Sequence, residues 1–253
     1  MSDFVELDVE GEIARLRIDR AERHNSLVPQ LLDEIQTCLE RIQKRRSIRC
    51  LVLKTAGESF STGGDVRGFF EHREDIASYA QATVGGLNEV IMGMLDLPQP
   101  IIAIVDGQVT GGSIGFLAAS NLVYVTQQAT ITPYYPLVGF TPDGGWTTMV
   151  PQLIGQRRTA EVLLTNRSIE PDEAVDWGLA TARIDEVSIE QHAMDTATEI
   201  AAFHPGSIFG TKQLLTSGRD GIKEGLTRER KRFVEQIQTP EAIEGMAAFL
   251  DEA

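Results

Sequence analysis

The stretch Ile101–Gly115 has the sequence IIAIVDGQVTGGSIG. Its five leading apolar residues predict a buried strand, and the later glycines predict a tight turn into a helix that ends near Ala119. The first turn of a helix presents unpaired N–H groups and a partial positive charge, which suit a developing oxyanion. The stretch is therefore a candidate oxyanion-binding turn, although close packing alone would also explain its glycines.

A second glycine-rich segment lies about fifty residues earlier in the chain. Ser59–Asp65 has the sequence SFSTGGD, follows a predicted strand over Cys50–Lys54 and opens into a predicted helix over Val66–Phe70. Adjacent glycines let a backbone N–H approach a ligand closely. An ordinary strand-to-helix turn capped by Asp65 explains this segment equally well, so it is informative only together with the first one.

Strand and helix patterns alternate along the N-terminal half of the chain. Further strands are predicted over Phe4–Val9, Ile13–Ile18 and Leu122–Thr126, the first two joined as a hairpin at Glu10-Gly11. One-sided apolar spacing predicts helices over Pro29–Arg45 and Ile76–Leu95. Alternating strands and helices imply parallel crossover units, so the predicted fold class is α/β.

Strand patterns fade after about Thr132, and the C-terminal third is predicted to be mainly helical. Helical segments are predicted over Ala160–Leu164, Pro171–Trp177, Ile189–Phe203, Leu226–Gln238 and Glu241–Leu250. From about Ile208 onwards there are more apolar positions than one helix layer can hide. We expect this region to dock onto the core or onto another subunit.

Composition excludes several classes of partner. The chain has 253 residues, 42% of them hydrophobic, and a formal net charge of −14, so its average field repels nucleic acids and anionic membrane surfaces. Cys38 and Cys50 are too few for a disulfide framework and are predicted to be reduced thiols. The first ten residues carry acids where a signal peptide would be basic, and no apolar run reaches membrane-spanning length. These features predict a cytoplasmic protein.

The two glycine segments, in this order and at this spacing, resemble the oxyanion-hole segments of the crotonase (enoyl-CoA hydratase/isomerase) superfamily. The pair is far more specific than either segment alone. The resemblance continues through Arg20–Leu27 (RAERHNSL), through Thr165-Asn166-Arg167 with Ala174-Trp177-Gly178-Leu179, and through Glu244-Gly245-Met246-Ala248-Phe249. It therefore covers almost the whole chain.

The resemblance implies a fold and a substrate class. The implied fold is a spiral core of repeated strand-strand-helix (ββα) turns over residues 1–200, followed by a helical trimerisation region over residues 201–253. The implied assembly is a homotrimer or a dimer of trimers. An acyl-CoA thioester is the implied substrate, with no separate cofactor and no metal ion.

The resemblance also assigns candidate site residues by position. The backbone N–H groups of Gly64 and Gly112 would hold the thioester oxygen. The adenine end of CoA would lie near Arg23, Ser26, Thr62, Gly63 and Asp65, and Tyr135 and Trp146 would line an acyl pocket. Basic and aromatic residues that often follow the Gly-Met-x-Ala-Phe segment in this family are missing from the sequence. We expect Lys212 or Lys223 to replace their contacts with CoA.

The catalytic carboxylates of typical hydratases in this family are missing. Gly115 and Tyr135 stand at the two glutamate positions, and neither suits base catalysis near neutral pH, which argues against simple hydration. Asp143, within the sequence GFTPDGGWTT, matches instead the acidic residue that shuttles a proton in isomerases of the family. We therefore predict an isomerase that uses Asp143, although that residue would also serve as a helix cap next to its two glycines.

Four alternatives remain open at this stage. Asp143 also matches the nucleophilic aspartate of aromatic acyl-CoA dehalogenases, which carry a tryptophan where Tyr135 stands. Hydration, or another reaction of the family, is a second alternative. A third is an acyl-CoA binder without activity. The fourth is a serine hydrolase, because Gly111–Gly115 fits the G-x-S-x-G pattern, with Asp143 and then His192 or His204 following.

Overall fold

A computed structural model describes residues 4–216 and 219–252. Within these residues the chain forms nine strands. They are β1 (Val5–Glu10), β2 (Ile13–Ile18), β3 (Cys50–Thr55), β4 (Ser59–Ser61), β5 (Ile101–Val105), β6 (Gln108–Thr110), β7 (Leu122–Val125), β8 (Thr130–Thr132) and β9 (Ala182–Arg183). The α-helices of the same residues number twelve. They are α1 (Pro29–Lys44), α2 (Val66–Glu71), α3 (Ile76–Asp96), α4 (Ile114–Ala118), α5 (Tyr135–Val138), α6 (Val150–Ile154), α7 (Gln156–Thr165), α8 (Pro171–Asp176), α9 (Glu186–Ala202), α10 (Pro205–Leu215), α11 (Arg219–Ile237) and α12 (Pro240–Glu252).

Six strands form the main sheet, in the order β1-β2-β3-β5-β7-β9. The hairpin β1-β2 is antiparallel, as predicted, and every later pairing is parallel. All five residues of β5 are buried. Helices cover both faces of a parallel sheet, which is why this central strand is apolar throughout rather than alternating.

Three short strands form a second, parallel sheet in the order β4-β6-β8. Each follows a strand of the main sheet after a short connection, and each is followed by helical structure. The unit strand, short strand, helix thus occurs three times, beginning at β3, β5 and β7. This arrangement confirms the predicted α/β fold with a spiral core of ββα turns, and it places the ends of β4 and β6 side by side.

The core lies on both faces of the main sheet. On one face, α1 and α3 pack against the sheet with residues such as Leu31, Ile35 and Ile91. On the other face, Ile189, Ala193 and Ala197 of α9 cover the opposite side chains of β3 and β5. Cys38 and Cys50 are buried free thiols. No helix in residues 4–216 or 219–252 has the length and apolarity needed to cross a bilayer.

The C-terminal helices dock onto the core of their own chain. Helix α11 packs along α3, and α12 packs against α5 and α2. Helix α9 ends at Ala202, two residues beyond the predicted domain boundary. Helix α10 was not predicted, and it leaves Leu214 and Leu215 exposed. Trimerisation stays a prediction.

Candidate active site

The two glycine segments meet at the ends of β4 and β6. Gly63 has φ +70°, a conformation that favours glycine, and a β-carbon there would lie only 2.7 Å from the carbonyl oxygen of Thr110. The same β-carbon would lie 3.2 Å from Cα of Gly111. The first segment therefore touches the second, and only a glycine at residue 63 permits the contact.

The N–H groups of Gly64 and Gly112 take no part in the backbone hydrogen bonds of the bridge and the turn to which these residues belong. Leu27 donates its N–H to the carbonyl of Gly63 at 2.7 Å and accepts from the N–H of Asp65 at 3.1 Å. In such a parallel bridge the N–H of the middle residue, Gly64, points away from the partner. Gly112 is the second residue of a 3₁₀ turn whose first internal donor is Ile114. Both N–H groups are thus available to a ligand.

Gly64 and Gly112 line the same cavity, which has a volume of about 450 Å³. Polar and charged residues form one part of its wall: Glu22, Arg23, His24, Ser26, Thr62, Asp65, Arg67 and Gln108. Apolar residues form another part: Leu27, Val66, Phe69, Val84, Leu87, Val138, Phe140, Phe233, Phe249 and Leu250. Asp143 and Tyr135 also line it. A ligand with a polar end and an apolar end fits this division.

The carboxylate of Asp143 lies against Gly112. A β-carbon placed on Gly112 would be 2.8 Å from Oδ1 and 3.0 Å from Oδ2 of Asp143. Burial raises the pKa of Asp143 to about 7; the nearby charge of Glu229 acts in the same direction, and a hydrogen bond from Tyr135 acts against it. A group that titrates near neutral pH can both accept and return a proton.

Tyr135 supports Asp143. Its hydroxyl donates to Oδ1 of Asp143 at 2.6 Å and accepts from the Asp143 N–H at 3.2 Å. Burial, followed by the charge of Asp143, raises the pKa of Tyr135 well above its ordinary value. Tyr135 is therefore a protonated donor at neutral pH, and it holds the carboxylate in place.

Gly115 has no room for a larger residue. A β-carbon there would collide with the side chain of Ile91 and would lie 2.8 Å from the carbonyl oxygen of Gly144. A glutamate at residue 115 would therefore displace the helix α3 side chain or the turn that carries Asp143. The structure explains in steric terms why one carboxylate of a typical hydratase site is missing.

Arg23 and Asp65 come together at the polar end of the cavity. Nη2 of Arg23 lies 2.9 Å from Oδ1 of Asp65, and Nη2 of Arg20 lies 2.9 Å from Oδ2. Asp65 also accepts from the N–H of Gly68 and so caps α2. Burial opposes ionisation, but the bonds from Gly68 and Arg20 and the charge of Arg23 keep the pKa of Asp65 below its ordinary value. Asp65 is only 5% exposed, so it orients the half-exposed Arg23 instead of facing solvent.

The other predicted CoA residues divide into two groups. Ser26 and Thr62 line the cavity, with the Ser26 hydroxyl accepting from Arg20 at 2.5 Å and the Thr62 hydroxyl donating to the His24 carbonyl at 3.4 Å. Gly63 lies behind the wall, where it makes the contact between the two glycine segments. The part of the site that would hold CoA is thus polar. Of the two arginines that contact Asp65, Arg23 is more exposed than Arg20.

Comparison with known proteins identifies the scaffold. A family model described as enoyl-CoA hydratase/isomerase matches residues 8–253. The chain belongs to this family. It is a crotonase-family acyl-CoA enzyme, and the cavity described above occupies the junction of its two glycine segments.

Relatives of the chain differ in the reactions that their names state. It is 28% identical over 240 residues to 4-chlorobenzoyl coenzyme A dehalogenase-2 of Arthrobacter sp, covering 94% of this chain and 87% of that protein. It is 24% identical over 259 residues to 1,2-epoxyphenylacetyl-CoA isomerase of Escherichia coli (strain K12), covering 99% and 96%. The crystal structure of an enoyl-CoA hydratase from Bacillus halodurans has the same fold, with a TM-score of 0.91 at 19% identity, covering 97% and 99%. Family membership alone therefore does not decide the reaction.

Trp146 packs in the core and does not line the cavity, so of the two interpretations of this ring, acyl pocket or core packing, the structure favours core packing. It is fully buried, and its indole N–H donates to the carbonyl of Gly111 at 2.9 Å. It is not among the residues that line the cavity, whereas Tyr135 is. Trp146 therefore supports the second glycine segment from behind, and other aromatic rings line the cavity.

Neither lysine expected to contact CoA reaches the site. Lys212 is buried, and its ammonium donates to the carbonyls of Met94 and Gln99, near the end of α3. Lys223 lines a separate cavity between α1, α3 and α11, which shares no residue with the first. Within one chain, Lys212 serves helix packing and Lys223 lines a different cavity, so a contact of either lysine with CoA stays a prediction.

The hydrolase alternative does not fit the geometry. Ser113 is fully buried, and its hydroxyl donates to the carbonyls of Thr110 and Ser61. His192 packs its ring edge against Tyr124 on the opposite side of the main sheet. Because a serine nucleophile needs an exposed hydroxyl next to a base, this serine is structural. Within the described residues, no three His, Cys, Asp or Glu side chains are grouped to hold a metal ion.

Two features of the site were not predicted from the sequence. Phe69, Phe140 and Phe233 pack against one another with ring centroids 5.2 to 5.9 Å apart, and all three line the cavity. Glu229 is a buried acid on α11, beside the segment that carries Asp143. The sequence marks Glu229 in one way only: it is an acidic residue on the helix face that is otherwise apolar, formed by Leu226, Phe233 and Ile237.

Proposed function

We propose that this protein is an enoyl-CoA isomerase in which Asp143 carries a proton from one carbon of the acyl chain to another. The position of its carboxylate supports this proposal most directly. Both oxygens lie next to Gly112, whose N–H is a candidate oxyanion donor, and the group has a pKa of about 7. The acid/base group and the oxyanion donor therefore face the same small volume.

The chemistry follows from that arrangement. The N–H groups of Gly64 and Gly112 would donate hydrogen bonds to the thioester oxygen of a 3-enoyl-CoA, and negative charge would develop on that oxygen when Asp143 removes the proton alpha to the thioester. The electron pair of the broken C–H bond becomes part of a dienolate. Asp143 then returns the proton to the gamma carbon, which leaves the conjugated 2-enoyl-CoA. Each oxyanion donor contributes about 10²–10³ in rate, and the oriented acid/base about 10²–10⁴.

Hydration is disfavoured by the same geometry. Residue 115 cannot hold a carboxylate without displacing Ile91 or Gly144, and Tyr135 stays protonated near neutral pH. Asp143 is therefore the carboxylate that lies beside Gly112, and a single carboxylate that gives and takes back one proton is sufficient for isomerisation.

Dehalogenation of an aromatic acyl-CoA is the second candidate. The phenyl rings of Phe69, Phe140 and Phe233 offer edges and faces that suit an aryl group, and the chain is 28% identical to a 4-chlorobenzoyl coenzyme A dehalogenase. Asp143 would then attack the aryl carbon as a nucleophile. Against this, the hydrogen bond from Tyr135 stabilises the ionised carboxylate of Asp143 and so weakens it as a nucleophile.

The decisive experiment compares the unmodified protein with Asp143→Asn. Turnover of a 3-enoyl-CoA is followed by the absorbance of the conjugated thioester, with hydration of a 2-enoyl-CoA and chloride release from 4-chlorobenzoyl-CoA measured in parallel. The exposed Asp33→Asn on α1 is the matched control for the change of charge.

We expect double-bond migration in the unmodified protein and in Asp33→Asn, and a loss of about 10²–10⁴ in Asp143→Asn. Migration that survives Asp143→Asn would make Asp143 structural and remove the mechanism. Chloride release without migration would favour the dehalogenase. A protein that binds CoA thioesters but turns over none of the three would be a binder without activity.

A further inference from the structure

The turn that carries Asp143 is held in an unusual shape. Gly144 and Gly145 both have positive φ, +65° and +93°. A β-carbon on Gly144 would collide with the carbonyl of Gly112, so the turn is pressed directly onto the second glycine segment. Two consecutive glycines are flexible in an unconstrained chain. Something outside the turn must therefore fix its position.

Glu229 makes that connection from behind the turn. One carboxylate oxygen accepts from the N–H of Gly145 at 2.8 Å. The other accepts from the N–H of Thr147 at 2.9 Å, from the Thr147 hydroxyl at 2.6 Å and from the Thr148 hydroxyl at 3.1 Å. Glu229 is only 5% exposed, and these neutral donors compensate its buried charge. One side chain thus binds three residues of the turn, more than eighty positions away in the chain.

Helix α11 presents a whole face to this region. Gly225, Glu229 and Phe233 are spaced four residues apart and so lie on one side of the helix. A β-carbon on Gly225 would collide with the side chain of Thr148, which shows how closely the helix approaches the turn. Phe233 packs against Phe140 at 5.2 Å and lines the cavity. The same helix face therefore contacts the turn at Thr148 and the cavity wall at Phe140.

We propose that Glu229 is a positioning residue for Asp143: its carboxylate fixes the turn that holds Asp143 beside Gly112. This inference rests on the proposed function, in which Asp143 carries the proton. Glu229 is not among the residues that line the cavity, so it acts through the turn and through its field.

Two ionisable groups act on Asp143 from the elements around it. Tyr135 on α5 donates a hydrogen bond to the carboxylate and lowers the pKa of Asp143, whereas the negative charge of Glu229 on α11 raises it. Removing the charge of Glu229 should therefore make Asp143 a weaker base. Because a base loses efficiency as its pKa falls away from the working pH, the rate should decrease even where Asp143 is fully ionised.

The test is Glu229→Gln in the full chain. Glutamine keeps the size of the side chain and one acceptor oxygen, but it loses the charge and presents an amide group to the N–H of Gly145. We expect kcat for double-bond migration to fall about tenfold or more with KM little changed. We also expect the acidic limb of the pH profile to move to lower pH. Glu224→Gln, an exposed change on the same helix, is the matched control.

A second measurement does not depend on turnover. An infrared titration follows the protonated carboxyl band of Asp143, assigned by its loss in Asp143→Asn, and this band should disappear at lower pH in Glu229→Gln than in the unmodified protein. If the unmodified protein fails to isomerise any enoyl-CoA, the proposed function is wrong, yet this titration still decides whether Glu229 acts on Asp143.

Thr147→Val provides a variant for the case in which Glu229→Gln does not fold. It removes the 2.6 Å bond to Glu229 but keeps the charge. We expect a smaller loss of kcat and an acidic limb that stays in place. Unchanged kcat and an unchanged Asp143 titration in Glu229→Gln would overturn the proposal, as would an effect on KM alone.

Discussion

The Tyr135 hydroxyl lies 2.6 Å from Oδ1 of Asp143, and both side chains are buried in the wall of the cavity that Gly64 and Gly112 line. This bond joins a phenol that stays protonated to a carboxyl whose pKa is about 7. It stabilises the ionised form of Asp143, which burial disfavours. The proton affinity of Asp143 thus depends on a hydroxyl that keeps its own proton and transfers none to the substrate.

Tyr135→Phe should move the acidic limb of the activity profile to higher pH. The substitution removes the hydrogen bond that lowers the pKa of Asp143, so the carboxyl holds its proton at higher pH. Activity should fall most at and below neutral pH and recover partly as the pH rises. The check is kcat/KM for double-bond migration from pH 5.5 to 9, a range chosen to span a pKa of about 7. A limb that stays in place or moves to lower pH would show that the bond does not control Asp143.

Asp143→Asn should make the protein more stable at alkaline pH. The pKa of Asp143 is raised in the folded protein, from 3.8 to about 7, so its contribution to the free energy of unfolding is fully present below pH 3.8 and lost as the pH rises through about 7. The cost of ionising the buried group is on the order of a few kcal/mol. Urea unfolding of both proteins should give a difference that is large at pH 8.5 and shrinks towards pH 5, a range that brackets the folded pKa of about 7. A difference independent of pH would contradict the assignment.

Gly112→Ala should reduce kcat about 10²–10³-fold. The added methyl group would lie 2.8 Å from Oδ1 of Asp143 and 2.7 Å from Leu87, so the carboxylate must move away from the oxyanion position. Steady-state kinetics with a 3-enoyl-CoA measures the loss. Gly206→Ala is the control, because a β-carbon there meets no atom within 4 Å. Equal activity of the two variants would show that the space beside Gly112 is not used.

Trp146→Phe should lower stability without changing acyl preference. The change removes the hydrogen bond to the carbonyl of Gly111 at a fully buried position, which costs about 1–3 kcal/mol. Chemical unfolding measures the loss, and relative kcat/KM values for acyl-CoA substrates of different shape test the preference. Trp177→Phe, which alters a ring stacked under Arg158 and Arg167, is the matched control. A changed order of substrates in Trp146→Phe would return this residue to the acyl pocket.

The long elements of the fold could be predicted from the sequence because their apolar periodicity is strong. The helix predicted over Ile76–Leu95 is found at Ile76–Asp96, and the strand predicted at Ile101–Val105 has those bounds. The strands Ser59–Ser61, Gln108–Thr110 and Thr130–Thr132 were missed, because three residues are too few to show a period. Their existence depends on pairing with one another.

The residues of the candidate site could be predicted only where the functional group and the glycines that shape its backbone lie close together in the sequence. Gly64, Gly112 and Asp143 come together in one cavity, and it was the resemblance to the crotonase superfamily that assigned each of them, because the glycine-rich motifs alone also fit close packing or a helix cap. Glu229 could not be recognised, because its role depends on a turn more than eighty residues away. The contact of Trp146 with Gly111 and the contact of Lys212 with the end of α3 likewise join distant parts of the chain, and no local pattern reveals them.

The crowding at Gly115 limits how this scaffold can change its reaction. A glutamate at residue 115 would meet Ile91 and the carbonyl of Gly144, the neighbour of Asp143. A smaller side chain at residue 91 would relieve only the first of these contacts, because the second is with the backbone. In this chain an acidic side chain at residue 115 and the turn that carries Asp143 therefore compete for the same space.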